Sequence, residues 1–458
     1  MSPSSPRLWA ISLAWLLAGV LLVAASWACT SRNRSDRAED ELSTGAPSST
    51  PSAMEGVSGV DLIAYTGTDG GLFTIKPDGT DSRRMAGGGI EGYVGRIRFQ
   101  GLAPNALFTW PTWSHDGQKL AMSRMLPSNG DVTSSIHVVD VATQDSTLVY
   151  ENQPGSRPLI APDAPHYLYW SPDGSLLTFI ASTRTGLTLF ATTVDGVPEV
   201  MPVATQGPIY YSWARDGSGI LMHVGNGLVL SRSPGLDQPR QLAQASPGFR
   251  VPAFSPVSSK VAYVGPTNGG DSLLLVDVNT DDPPSPLADV GPNAAFLWAP
   301  DGQQIAVADS TDPDQPLYQR LRVIQADGSG ERTVVNESLL AFFWSPDGQW
   351  FIYVTISPGE RALMWKMVPA AGGEVRELVE FGPSSEQFTM ISFFDQYSYS
   401  NSLWSPDSSR FVFTGTLSRG ADQTNGAAPS ADRVYAVNVA SGTVTEIASG
   451  RIAFWSWN

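Results

Sequence analysis

Short apolar segments separated by turn residues fill the chain from about residue 60 onward. One of them, Ala294–Trp298, ends at an aromatic residue and is followed by Ala-Pro-Asp-Gly and by a second apolar segment around Ala306. Because an Asp side chain accepts hydrogen bonds from turn amides and Gly tolerates a positive φ, this unit predicts a tight turn between two strands. Third strands such as Leu273–Asp277 and more polar fourth strands such as Glu331–Val335 complete a four-stranded unit.

The four-stranded unit recurs along the chain, and such recurrence indicates a repeat fold. Copies of the aromatic-and-turn motif begin at Trp113, Trp170, Trp213, Phe254, Trp298, Trp344 and Trp404, and a truncated copy follows at Trp455. Their spacing averages about 49 residues, which is typical of one four-stranded propeller blade.

The two ends of the repeat region complete each other. Strands predicted over Leu62–Tyr65, Leu72–Ile75 and Ser82–Met85 have no motif strand before them, whereas the motif strand Arg451–Trp457 has no blade after it. Joining them leaves no free sheet edge between the first and last blades. We therefore predict an all-β fold, an eight-bladed β-propeller of four-stranded antiparallel blades closed by the N-terminal strands plus the C-terminal strand.

The motif resembles the WD40-like "PD" repeat of TolB-type β-propellers, which also occurs in the propellers of prolyl-oligopeptidase and dipeptidyl-peptidase enzymes. The resemblance covers about Val60 to Asn458 and rests on recurrence, since a single WSPDG is weakly specific. TolB itself is a periplasmic protein with six blades and an added N-terminal domain. This chain departs from TolB in its predicted number of blades and in having a predicted linker where the added domain would be. The resemblance therefore implies the repeat fold and not a TolB role. The peptidases also need a Gly-x-Ser-x-Gly nucleophile motif, which does not occur here.

An uncharged run at residues 8–28 follows an arginine near the N-terminus. A charged start, an apolar stretch and a small residue at its end, Ala28, are typical of an export signal. The single cysteine, Cys29, comes next and resembles the lipidated residue of a bacterial lipobox, although Ser26 and Trp27 depart from that pattern. Three outcomes stay open: a lipid anchor on Cys29, an uncleaved membrane-spanning helix, and plain secretion. Each places the bulk of the chain outside the cytoplasm, and we expect anchoring to the cell membrane.

Composition defines the rest of the organisation. Residues 30–59 are rich in Ser, Thr, Pro, Gly and Ala without a hydrophobic period, which predicts a flexible linker between a signal or anchor segment at 1–29 and the propeller at 60–458. The chain carries 28 Lys and Arg against 44 Asp and Glu, a net charge of −16, so a nucleic-acid partner, which needs a basic patch, is not expected. One cysteine excludes disulfide scaffolds and Cys-based metal sites.

Few residues point to catalytic chemistry. The four histidines form no close pair and are interpreted as surface or packed residues: His115, His137, His166 and His223. The acids of the repeated turn are interpreted as turn formers: Asp116, Asp173, Asp216, Asp301, Asp347 and Asp407. The motif aromatics are interpreted as core between blades. We predict no catalytic residue, no metal site and no cofactor, although distant blades can still bring ligands together in the central channel.

The second-to-third and blade-to-blade connections of a propeller share one face. They contain nearly all the irregular length, at 86–107, 126–134, 152–165, 309–316, 380–398 and 416–431. We call this the loop-rich face, and the opposite face, which carries the Asp-Gly turns, the turn face. Binding usually resides in long loops on a rigid scaffold. The aromatic segment Phe388–Tyr399 supplies the candidate binding residues, which are Phe393, Phe394, Tyr397 and Tyr399. The alternative is that some of them pack as an extra strand or a lid over blades seven and eight.

The leading functional prediction is a non-catalytic, exported and membrane-anchored propeller that binds a protein or peptide partner through its loop-rich face. A cell-wall or glycan binder is a second hypothesis, which would show exposed, coplanar aromatic side chains. An enzyme working in the channel, such as a lactonase or lyase, is a third. It would show carboxylates and a histidine converging with a metal.

Overall fold

The computed structural model describes residues 61–87, 107–128, 131–152, 165–183, 186–205, 207–233, 235–236, 239–244, 250–359, 362–417 and 431–457. The predicted signal or anchor segment with Cys29 and the predicted linker lie outside these residues, as do most of the connections predicted at 86–107, 152–165 and 416–431. Across the described ranges, no helix combines the length and the apolar character needed to span a bilayer.

Three strands come first: β1 (Ile63–Gly67), β2 (Leu72–Ile75) and β3 (Arg83–Ala86). Five four-stranded sheets of consecutive strands follow. They contain β4 (Leu107–Trp113), β5 (Lys119–Ser128), β6 (Asp131–Asp140) and β7 (Ser146–Glu151); β8 (His166–Trp170), β9 (Leu176–Thr183), β10 (Gly186–Thr193) and β11 (Val200–Thr205); β12 (Ile209–Trp213), β13 (Gly219–Val224), β14 (Gly227–Arg232) and β15 (Arg240–Gln244); β16 (Ala253–Phe254), β17 (Lys260–Thr267), β18 (Gly270–Asp277) and β19 (Ser285–Asp289); β20 (Asn293–Trp298), β21 (Gln304–Ser310), β22 (Arg320–Gln325) and β23 (Glu331–Val335).

The remaining strands join the first three in a ten-stranded sheet. They are β24 (Ala341–Trp344), β25 (Trp350–Ile356), β26 (Leu363–Pro369), β27 (Arg376–Pro383), β28 (Arg410–Leu417), β29 (Arg433–Asn438) and β30 (Val444–Trp455). Strand β30 pairs with β29 along its first half and with β1 from Gly450 to Trp455. The first described strand is therefore hydrogen-bonded to the last.

All the strand pairs within these sheets are antiparallel. The all-β class and the four-stranded antiparallel sheets predicted from the sequence are confirmed. The second strand expected around Ala306 is β21. Small and β-branched residues alternate along this strand and are buried on both of its faces.

The repeated turn between first and second strands is held by the same side chains in successive sheets. After β24, the Ser345 hydroxyl donates to Asp347 and accepts from the Trp350 N–H at 2.9 Å. The Asp347 carboxyl accepts from the Gln349 N–H at 3.0 Å, and Gly348 has a φ of 69°, which favours glycine. The same carboxyl-to-amide contact, two residues on, forms at Asp116, Asp173, Asp216, Asp301 and Asp407. The interpretation of these acids as turn formers is confirmed.

The motif aromatics lie buried between neighbouring sheets, as predicted. Trp170 is 1% exposed, and its indole N–H donates to the Thr112 carbonyl of the preceding sheet at 3.0 Å. Trp298 donates in the same way to the Ala253 carbonyl at 3.2 Å. A buried indole N–H without an acceptor costs free energy, so these bonds favour one packing of adjacent sheets over others.

The connection predicted at 380–398 is not an irregular loop. Strand β27 extends to Pro383, and two helices follow, α1 (Ser385–Ser392) and α2 (Phe394–Tyr397). The connection predicted at 126–134 is also mostly strand, since β5 extends to Ser128 and β6 begins at Asp131. At 126–134 the hairpin pairing of β5 with β6 continues to Ser128 and Asp131. At 380–398 a capped helix begins instead of a loop.

Candidate functional site

The two helices belong to one insert, residues 384–401, which precedes the extended segment Ser402–Trp404. This segment forms bridges from Ser402 to Trp455 and from Trp404 to Phe411. Helix α2 contacts β12, β20 and β24. Each of these is the first strand in the order of its sheet. The insert therefore lies where the first strands of several sheets converge.

Helix α1 has a capped N-terminus and a tertiary hydrogen bond. Ser384 is the N-cap, and its hydroxyl accepts from the Gln387 N–H at 3.1 Å, which satisfies an otherwise unpaired helix amide. The buried Gln387 side chain accepts in turn from the Thr414 N–H of β28 at 3.1 Å. Met390 and Ile391 are buried beside it. The cap and the buried glutamine together fix the direction of α1.

Tyr397, at the end of α2, packs the insert against two neighbouring sheets. Its ring stacks on Trp110 of β4, with 4.7 Å between centroids and 8° between planes. It meets the ring of Tyr167 in β8 edge-on at 5.5 Å. Tyr397 is 4% exposed, so burial and favourable ring geometry both stabilise this position.

The two aromatic partners of Tyr397 have an unusual backbone conformation. Trp110 has a φ of 54° and Tyr167 a φ of 53°, in the left-handed region that bulky residues rarely adopt. Each lies at a shift in strand register, one in β4 and one in β8. Bulges redirect side chains, and strained residues persist where surrounding contacts hold them. Here two bulges bring aromatic rings onto the insert.

Hydrogen bonds also connect the insert to the first strands. The Tyr167 hydroxyl lies within donating distance of the carbonyls of Gln396, at 2.9 Å, and Tyr211, at 3.0 Å. The Asn401 side-chain amide donates to the Pro111 carbonyl of β4 at 3.1 Å. A first strand has one edge without a ladder partner, and these contacts satisfy part of that edge.

Phe394 packs the insert against a third sheet. Its ring centroid lies 5.1 Å from that of Phe342 and 5.9 Å from that of Phe343, both in β24. Tyr318 lies 6.1 Å away in an edge-on orientation. With Phe394 and Tyr397 both buried, α2 is held from more than one side.

The four predicted binding residues occupy different environments. Phe394 and Tyr397 are buried, Tyr399 is partly buried against the hydrophobic core, and Phe393 is 43% exposed. The segment is helical and reaches β4, β8 and β12, so it is neither an extra strand nor a lid confined to the last two blades. Phe393 is the most accessible aromatic of the four. That these residues bind a partner stays a prediction.

Sequence reasoning missed Asp395, an acid within α2. The residue as a whole is of intermediate burial, and Phe394 and Gln396 on either side of it are buried. Loss of surrounding water raises the pKa of Asp395 from 3.8 to about 6, and the N–H groups of Asp395 and Gln396 lower it only in part. The acid inside the apolar run FFDQY is the sequence signal that could have identified it.

The described residues contain no group of three or more His, Cys, Asp or Glu side chains placed to hold a metal ion. His115 stacks on Trp457 at 5.8 Å, and the His223 ring nitrogen lies 2.8 Å from the Arg250 carbonyl. Burial, and next the nearby Arg124, lower the pKa of His137 to about 4. These three histidines sit in packed surroundings, as interpreted from the sequence.

A cleft of about 680 Å³ lies among residues of the turn face. It coincides with the copy of the motif in which Val257 and Ser258 replace Asp-Gly. The acid in its lining, Asp216, accepts from the Ser218 N–H at 2.9 Å and so belongs to a repeated turn. The residues that line the cleft include no histidine and no second acid, so they form no acid–base pair.

No protein-family model matches the chain. Among solved structures, it is similar to the dihydro-heme d1 dehydrogenase NirN in complex with DHE, with a TM-score of 0.53, 11% identity, and coverage of 89% of this chain and 78% of that one. It is also similar to a putative TolB from Agrobacterium tumefaciens, at a TM-score of 0.38 and 18% identity over 63% of this chain and 99% of that one. The first likeness shows a shared β-propeller fold and nothing of activity, and the second is too weak to carry an argument.

Proposed function

We propose that the chain is a closed, eight-bladed β-propeller. The five four-stranded sheets supply five blades, and β24–β27 supply a sixth. The segment Ser402–Trp404 with β28, β29 and the first half of β30 supplies a seventh, and the second half of β30 with β1–β3 an eighth. The Trp113 indole in β4 donates to the Phe454 carbonyl in β30 at 3.2 Å, a contact that supports closure between the ends.

We propose that this propeller is a non-catalytic binding protein whose partner, a protein or peptide, docks on the loop-rich face. The insert follows β27, a fourth strand, and connections from fourth strands lie on that face. The main support for this proposal is that Phe393 is 43% exposed at the junction of α1 and α2, while its neighbour Phe394 is 1% exposed. An exposed aromatic on a rigid base is a good anchor, because little conformational freedom is lost on binding.

Site-specific photocrosslinking in cells tests this docking site. A photoreactive phenylalanine at position 393 is compared with one at Val197, which is 90% exposed in the turn between β10 and β11 on the turn face. We expect discrete crosslinked adducts from position 393 and none from position 197. Adducts from 197 alone, or equal labelling at both positions, would overturn the proposal.

We also propose that the chain is exported and anchored to the extracytoplasmic side of the cell membrane. The apolar run at 8–28 and the cysteine that follows it support this location. Mass spectrometry of membrane-extracted wild type and Cys29→Ala should differ by the mass of a lipid modification. Equal masses, apart from the substituted side chain, contradict a lipid anchor.

A further inference from the structure

The cleft of about 680 Å³ on the turn face lies between the sheet β12–β15 and the sheet β16–β19. The first sheet contributes Ala214 and Arg215, which follow β12, and the second contributes Phe254, Val257 and Val278. Pockets that bind small molecules have volumes of about 300–1,000 Å³, so this cleft has room for a ligand. Its lining combines apolar side chains with hydroxyl groups and one cation.

A replacement in the repeated motif explains why the cleft lies between these two sheets. Phe254 stands where every other copy of the motif has Trp, and its ring is smaller and carries no N–H. Between other sheets a buried indole donates to the preceding sheet, as Trp170 and Trp298 do. A phenyl ring in place of an indole leaves more space between the two sheets.

The turn after Phe254 also departs from the repeat, because Val257 and Ser258 replace Asp and Gly. Val257 is 63% exposed, and a Cβ atom built on Gly302 of the next turn would lie 2.3 Å from its Cγ2 atom. The valine side chain therefore rests against the neighbouring turn. It presents apolar surface at the edge of the cleft, where the other copies present a carboxyl.

Arg215 supplies the positive charge of the cleft. It stands where most copies of the motif have Pro, and it is exposed. Within the part of the chain that the structure describes, its guanidinium forms no ion pair or hydrogen bond. Two acids in or beside the cleft already accept from amides of their own turns: Asp216 from the Ser218 N–H at 2.9 Å, and Asp277 from the Asn279 N–H at 3.0 Å. The guanidinium is therefore available to an anionic group beside apolar surface.

We propose that this cleft binds an aliphatic carboxylate, with the carboxylate paired to Arg215 and the aliphatic part against Phe254 and Val257. A guanidinium holds a carboxylate through two parallel hydrogen bonds, and burial of the aliphatic part adds to the affinity. The C-terminus of a peptide that ends in an aliphatic residue and a free short-chain acid share this chemistry. The cleft and Phe393 lie on opposite faces, so this proposal and the docking proposal can fail independently.

Calorimetric titration of the full chain tests the site. N-acetyl-valine represents a peptide C-terminus, hexanoate represents a free acid, and N-acetyl-valinamide lacks the charge. Arg215→Gln removes the cation, and Phe254→Trp restores the indole of the repeat and fills part of the cleft. Lys76→Gln is the matched control, because Lys76 lies between β2 and β3 on the turn face with its side chain 52% exposed. Thermal melts check that all four proteins are folded.

We expect saturable binding of at least one of the two acids to wild type and to Lys76→Gln, and about tenfold weaker binding or more to Arg215→Gln. N-acetyl-valinamide should bind weakly and should not distinguish wild type from Arg215→Gln. Preference for N-acetyl-valine supports a peptide C-terminus as the source, and preference for hexanoate supports a free acid.

Phe254→Trp should also bind the acids more weakly than wild type, because the larger ring occupies space that the aliphatic part needs. No saturable binding of either acid overturns the proposal, as does equal binding of the acids to wild type and Arg215→Gln. Undiminished binding to a folded Phe254→Trp would place the ligand outside the cleft and would overturn it too.

Discussion

The turn face and the insert differ in how far apart in sequence their hydrogen-bonded residues lie. On the turn face, the repeated contacts are local: Ser345 bonds to a residue five positions away, and the Asp347 carboxyl to one two positions away. In the insert, Tyr167 and Gln396 are 229 positions apart, and Pro111 and Asn401 are 290 apart. Local contacts can be repeated in every blade without change. The insert is formed once, and its stability depends on strands from distant parts of the chain.

The largest effect is expected from Tyr397→Ala. This change removes a buried ring that contacts both Trp110 and Tyr167, so it should lower the free energy of unfolding by about 3–5 kcal/mol. Urea denaturation followed by far-UV circular dichroism measures it. Phe393→Ala is the control, with an expected change within about 0.5 kcal/mol because that ring is 43% exposed. Similar losses in the two variants would contradict the expectation that Tyr397 stabilises the insert while Phe393 does not.

Asp395→Asn should have an intermediate and pH-dependent effect. Because the pKa of Asp395 is raised from 3.8 in the unfolded chain to about 6 in the fold, the folded state holds the proton more tightly. The resulting stability is full below about pH 4 and is lost as the pH rises through about 6. At pH 7 the free energy of unfolding of Asp395→Asn should therefore exceed that of wild type by up to about 3 kcal/mol.

Denaturant midpoints of wild type and Asp395→Asn between pH 4 and pH 8 measure this difference. The two curves should converge near pH 4, move apart as the pH rises to about 6, and keep a nearly constant separation above that. Parallel curves would mean that the carboxyl is as well hydrated in the fold as in the unfolded chain.

The smallest effect is expected on the turn face. Asp347→Ala removes the acceptor for the Gln349 N–H and the Ser345 hydroxyl, and should cost about 1 kcal/mol because water can replace part of this bonding at an exposed turn. Asp314→Ala, at another exposed acid, should leave the thermal midpoint unchanged. A loss at Asp347 as large as that of Tyr397→Ala would mean that the repeated turns carry the tertiary stability.

The repeated part of the fold could be predicted from sequence because its contacts are local. The Trp298 motif with its Asp-Gly turn specifies both strands on either side of the turn, and the structure has both. The helices of the insert could not be predicted as easily, since the run FTMISFFDQYSY has the aromatic content of a strand. One local signal was present: Ser384 and Gln387 have the spacing of a helix capping box.

The bulges at Trp110 and Tyr167 show why the candidate site was only partly predictable. A left-handed backbone at a tryptophan or tyrosine has no sequence signature, because the isolated residue disfavours it. It is observed where Tyr397 packs against both rings, so its cause lies in a segment far along the chain. The presence of an aromatic segment could be read from sequence, but which of its rings face the protein could not.

Strand β30 has a consequence for the order in which the molecule is assembled. Leu62 and Ser456, which hydrogen-bond beside β1 and β30, are 394 positions apart. During synthesis, β1, β2 and β3 therefore emerge long before the strand that covers the open edge of β1. Until β30 is made, that edge is available to other chains, as unpaired edges generally are. A chain that ended a dozen residues early would contain nearly all the repeats but would lack the part of β30 that pairs with β1, and the edge of β1 would stay open.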